Sequence, residues 1–226
     1  MLEIKNITKT PQLIDADKII LGIGVIAILF PFAMVLPSLF YWHSCYDQDL
    51  LPSISAYYHT SSRNLFVGMI CALGFCFLSY KGYSRFDSNA ANIAAVCAIG
   101  VAFVPTSIAV GESPCLPVDG STAREIIHVS FAAILFLTLS VFSIKIFTHR
   151  EPDSTPISAR KLFLYRFYGF TILGALTIIA IHIIFLSKQF PHLKTYKPIF
   201  WLETVCLVSF GCSWLLKSEL FDRKPI

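Results

Sequence analysis

A chain of 226 residues with 55% hydrophobic and only 14% charged residues has too few charges to cover a water-facing surface, since a soluble domain carries about a quarter. With a mean hydropathy of +0.67, the composition excludes an ordinary soluble domain and predicts an all-α membrane bundle. The net charge of +4 is no nucleic-acid footprint, because Lys and Arg in a membrane protein chiefly set orientation, and no nucleic-acid partner is expected.

Residues 1–18 mix charges of both signs with a proline and lack the basic region, short apolar core and cleavage site of a signal peptide. They read as a polar tail before a retained span. A spanning helix needs about 20 mostly apolar residues, and six runs approach or meet that: 19–42, 64–80, 90–110, 126–147, 167–186 and 199–216. The expected organisation is a tail (1–18), a six-helix transmembrane domain (19–216) and a second tail (217–226). Pro31, Pro37 and Pro105 fall inside apolar runs and predict kinks or helix ends. In the third run Ala91, Ala95, Ala98 and Ala102 share one helical face. Small residues so placed let backbones approach closely, which suggests a central position for that helix. No internal repeat is evident.

Thirteen of the eighteen Lys and Arg lie in the tails, the second loop and the fourth loop. The positive-inside rule therefore predicts both termini, and residues 148–166, on the cytoplasmic side. The polar stretch "SISAYYHTSSRN" (53–64) then faces outward. Pro52 suits a first helical turn, after which Ser55, His59 and Arg63 follow at i+4 steps. Arg124 and His128 repeat that spacing at the start of the fourth run. His182 lies four residues before the outer end of the fifth run, and Glu203 four residues into the sixth, each roughly 6 Å below the boundary. Ionisable groups at such depth usually face a bundle interior or wet cavity. Ser55, His59, Arg63, Arg124 and His128 are thus candidate ligand-binding residues, with His182 and Glu203 in the same cavity. Arg63 and Arg124 point to an anionic lipid head group.

Each residue also has a simpler role. Tyr57 and Tyr58, with Tyr41 and Trp42, fit an interfacial aromatic belt. Glu125 follows Thr122 by three residues, a capping-box spacing. Glu203 suits a snorkelling carboxylate, and His182 a hydrogen-bonded core residue. His59, His128, His182 and Glu203 are also the candidate catalytic set, and the three histidines could hold zinc, although no H-E-x-x-H spacing supports it. No phosphate loop or nucleophile elbow occurs. Cys71, Cys76, Cys97, Cys206 and Cys212 fall in apolar runs, where Cys acts as a small hydrophobe. Cys45 and Cys115 fall in outer loops, where an oxidising compartment permits a disulfide.

The stretch 53–87, the "GVAFVPT" turn, His128 opening the next run and "WLETVCLVSFGCSWLLKS" resemble a bacterial family of six-span membrane proteins of unknown function. That family is distantly similar to DRAM-type and GPI-anchor-remodelling membrane proteins. The resemblance implies residence in a bacterial inner membrane and association with membrane lipids. "SAYYH" (55–59) is also similar to the S-x-x-x-H element of the alkaline ceramidase and adiponectin-receptor superfamily. That superfamily has seven spans and a late H-x-x-x-H, whereas Ile178 and Leu186 flank His182 at those positions. The expected function is binding of a lipid or other amphipathic anionic molecule at an outer-facing pocket. The alternatives are an intramembrane hydrolase or transferase built on the His/Glu set, and a small-solute transporter, against which stands the lack of inverted repeats. Nothing in the sequence specifies an oligomeric state.

Overall fold

The computed structural model describes residues 16–40, 50–107, 121–149 and 156–218. Each of the six apolar runs contains a helix, and no strand occurs among the described residues. The helices are α1 (Ala16–Phe40), α2 (Arg63–Ser79), α3 (Arg85–Phe103), α4 (Thr122–Val141), α5 (Ala159–Ile181) and α6 (Pro198–Lys217). α4 runs on as a π-helical turn over Phe142–Ile146, and α5 as one over His182–Leu186 that ends in Ser187–Gln189. All but α2 are long and apolar enough to cross a membrane, and α2 is an apolar helix of 17 residues. Cys45, Cys115, Tyr41 and Trp42 lie outside the described residues. Cys71, Cys76, Cys97, Cys206 and Cys212 are free thiols.

Local chemistry sets the helix ends. Ser84 caps α3, its side chain accepting from the Asp87 N–H, while Asp87 Oδ2 accepts from the Ser84 N–H at 3.2 Å. This capping box starts α3 five residues ahead of the apolar run. Pro105 has no N–H to continue the ladder, so α3 stops at Phe103. Pro31 and Pro37, by contrast, leave α1 unbroken. Near Pro37, Ser62 Oγ donates to the Met34 carbonyl at 3.0 Å, an outside donor in the turn that the proline ring disturbs.

The six helices form a closed ring. Each packs chiefly on its chain neighbours, and α1 closes on α6. α3 is therefore one stave of the ring, lying between α2 and α4, and not its centre. Ala91, Ala95, Ala98 and Ala102 are all buried on its inner face, against Gly74 of α2 at one level. Gly24 of α1 and Gly211 of α6 form a closer seam: a Cβ on Gly211 would lie 2.7 Å from the Gly24 carbonyl oxygen. Outward-facing Phe32, Phe75, Val96, Phe103 and Phe170 are each more than half exposed, giving the ring an apolar rim. Inside, one end is filled by an aromatic cluster around Trp214, including Phe77, Phe142 and Phe147. The other end is filled by Phe30, Tyr57, Tyr58, Phe66 and Phe200.

Candidate functional site: a cavity beneath the 50–62 strap

The stretch that precedes α2 closes one end of the ring. It is not one α-helix: Ser55–His59 is a 3₁₀ turn, and α2 begins at Arg63. With three residues per turn, Ser55, His59 and Arg63 do not share a face. The strap is tied to α6, where the Phe200 N–H donates to the Pro52 carbonyl at 3.1 Å. Tyr57 and Tyr58 are 1% and 9% exposed, which corrects the interfacial-belt reading. The Tyr57 hydroxyl accepts from the Leu51 N–H at 3.5 Å. Burial raises its ionisation above the ordinary phenol value, and that backbone donor partly offsets the rise. Arg63 is exposed and donates to the Tyr58 hydroxyl at 2.8 Å, its guanidinium 4.6 Å from the ring centroid.

The break after α3 organises the polar groups. Where Pro105 forces the chain out of the helix, its carbonyls need new donors. His128 Nδ1 donates to the Val104 carbonyl at 2.6 Å, and His59 Nε2 to the Thr106 carbonyl at 2.8 Å. Glu125 accepts from the Thr106 hydroxyl at 3.0 Å and from the Ser107 N–H. Its carboxylate thus holds the 106–107 turn. The helix cap belongs to Ser121, which accepts from the Arg124 N–H at 3.4 Å, and this corrects the capping-box assignment of Glu125. Glu203 Oε2 accepts from the Ile54 N–H at 2.6 Å, and the Ser55 N–H donates to the same carboxylate.

Between α4, α5 and α6, under this strap, lies a cavity of about 110 Å³. Its polar wall is Ser53, Ser55, Thr106, Glu125, His128 and Glu203. Its apolar wall comes from Val129, Ala132 and Phe136 of α4 and Leu176, Ile179 and Ile183 along α5. A second cavity of about 50 Å³ lies on the axis of the ring between α2, α3, α4 and α6. The two share Ser55, Ala132, Phe136 and Glu203.

The structure therefore brings Ser55, His128 and Glu203 to one cavity. His59 is half-buried, is not in the cavity wall, and bonds to the wall residue Thr106. His182 is 4% exposed and heads the π turn of α5, but it is Ile179 and Ile183 on either side of it that line the cavity. Arg63 and Arg124 are not in its wall. Thr106, Ser53 and the actual role of Glu125 were missed. The signal for them was Pro105, whose helix break required nearby donors and acceptors.

His128 carries the most informative geometry. A carbonyl only accepts, so Nδ1 bears the hydrogen, and in the neutral ring Nε2 is left as an acceptor. That Nε2 is buried without a hydrogen-bond partner, in a residue 3% exposed. No group of three or more His, Cys, Asp or Glu among the described residues is placed to hold a metal. His59 Nε2 and His128 Nδ1 are both engaged as donors to carbonyls. Comparison with protein families, curated proteins and solved structures gives no match.

Proposed function

We propose that this chain is an integral membrane protein that binds a lipid or similar amphipathic molecule in the cavity between α4, α5 and α6. The observation that carries the reading is a cavity with one polar and one apolar wall, whose polar wall includes His128, a residue with a buried, unpartnered Nε2 acceptor. An unpartnered buried polar atom costs about 1–3 kcal/mol, and a ligand donor relieves that cost. The adjoining aliphatic side chains supply the surface that an acyl or alkyl chain needs. The family resemblance points the same way. The distribution of Lys and Arg supports a bilayer orientation with both termini in the cytoplasm, which turns the cavity toward the outer leaflet of a bacterial inner membrane.

The test is lipid extraction and mass spectrometry on protein purified in a mild detergent, wild type beside His128→Asn. The Asn amide keeps a donor for the Val104 carbonyl and removes the Nε2 acceptor. The expected result is near-stoichiometric lipid on the wild type and at least a tenfold loss on the variant. Equal retention by both, or none by the wild type, overturns the reading. A reporter fused after Ile226 and active only outside the cytoplasm overturns the orientation.

A further inference from the structure

We infer that the ligand is a single-chain amphiphile with a cationic, hydrogen-bond-donating head group, its tail passing Ala132 and Phe136 into the axial cavity. This rests on the reading that the cavity between α4, α5 and α6 binds an amphipathic molecule, and it names the class. The head-group chemistry follows from the wall. Glu125 and Glu203 face the cavity from α4 and α6. A carboxylate offers about four acceptor sites, and each of these two is engaged by two donors from the turns beside it. His128, whose Nε2 is a buried acceptor with no partner, lines the same wall. Against these acceptors the wall sets only the hydroxyls of Ser53, Ser55 and Thr106, and that of Thr106 already donates to Glu125. Among the described residues no Lys or Arg lines the cavity. An anionic head group would meet two carboxylates there, whereas an ammonium group supplies three donors and the complementary charge.

The tail follows from the second cavity. Its wall is apolar apart from Ser55 and Glu203, the residues it shares with the first. Apolar cavities stay dry and take apolar guests. Glu203 therefore stands where head and tail would meet. Val129 and Ile183, 39% and 41% exposed on the outside of the ring, also line the first cavity. The α4–α5 seam is thus the side from which a lipid-dissolved amphiphile reaches the site.

The experiment measures equilibrium binding of radiolabelled dodecylamine, dodecanol and dodecanoate to the full chain in zwitterionic nanodiscs at pH 7. Empty nanodiscs supply the partitioning background. The expected result is saturable binding, with dodecylamine at least tenfold tighter than dodecanoate and dodecanol between them. Glu203→Gln, which keeps an acceptor for the Ile54 N–H, should weaken dodecylamine tenfold or more and leave dodecanol within threefold. Dodecanol binding thereby reports that the variant is folded. Dodecanoate bound as tightly as dodecylamine, or a Glu203→Gln variant that binds dodecylamine like the wild type, overturns the head-group inference and leaves the lipid-binding reading standing. No saturable binding of any of the three overturns both.

Discussion

The α1–α6 seam permits a sharp test of the ring. In Gly211→Ala the added Cβ would lie 2.7 Å from the Gly24 carbonyl oxygen and 3.1 Å from the Ile28 N. Both are backbone atoms of α1 and cannot rotate away. Ordinary contact begins at 3.4 Å, so α1 must retreat by about 0.7 Å. A gap of that size forfeits roughly a quarter to a half of each van der Waals well along the seam, and overpacking of this kind costs about 1–3 kcal/mol. The alanine returns up to about 1 kcal/mol of helix propensity, which leaves Gly211→Ala about 1–3 kcal/mol less stable than a Gly→Ala change without the clash. In a domain of this size each kcal/mol moves the midpoint by about 2–4 °C. Gly22→Ala makes the same chemical change in α1 with nothing within 4 Å of the new Cβ, so it should leave stability unchanged or slightly raised. The assay is heat challenge of detergent-purified protein followed by size-exclusion chromatography, the three proteins side by side. A Gly211→Ala protein as stable as Gly22→Ala would falsify the close approach of α1 and α6.

Other expectations follow from single contacts. Ser84→Ala removes the side chain that accepts from the Asp87 N–H and should lower stability by about 0.5–2 kcal/mol in the same assay, while Ser84→Thr keeps most of it. Thr106→Val deletes the 3.0 Å donor to Glu125 and should cost about 1–3 kcal/mol; a variant that melts with the wild type would show that the turn needs no such clamp. Ser213→Ala breaks the buried 2.8 Å bond to Ser143. Ser143 retains its bond to the Leu139 carbonyl, so the loss should stay near 0.5–1.5 kcal/mol, read as a shift of a few degrees.

Helices were legible because hydropathy alone locates them: each apolar run became α1 to α6, and the alanine face of α3 is buried as its spacing indicated. Boundaries were less legible where capping or proline overrode hydropathy, as at Ser84 and Pro105. The position of α3 was misjudged because small residues mark close packing but not which helices supply the partner; a stave of a closed ring needs such a face as much as a central rod does. The strap differs from expectation because i+4 spacing presumes an α-helix, and Tyr57 and Tyr58, which fit an interfacial belt by sequence, are buried against Phe200 and Phe66. Within the site, depth placed Glu203 correctly but also pointed to His182, which does not line the cavity. The roles of Glu125 and Thr106 depend on how the chain turns after Pro105, which periodicity does not describe.

The length of α5 has a consequence of its own. With its π turn and last residues it is a rod of 31 residues, Ala159–Gln189, about 46 Å long, whereas a bilayer's hydrocarbon layer is about 30 Å thick. Its apolar part, 167–186, matches that thickness, so most of the surplus is the opening turns that carry Arg160, Lys161 and Arg166. In the proposed bilayer orientation these would stand as a stiff cationic post in the head-group layer, where each charge near anionic lipid is worth about 1 kcal/mol. A rod pinned at one end works as a ruler. In that orientation the post would set how deep the opposite end hangs, and with it the height at which the Ile179–Ile183 side of the cavity meets the surrounding acyl chains. In a thicker membrane the same protein would present that opening further below the far surface.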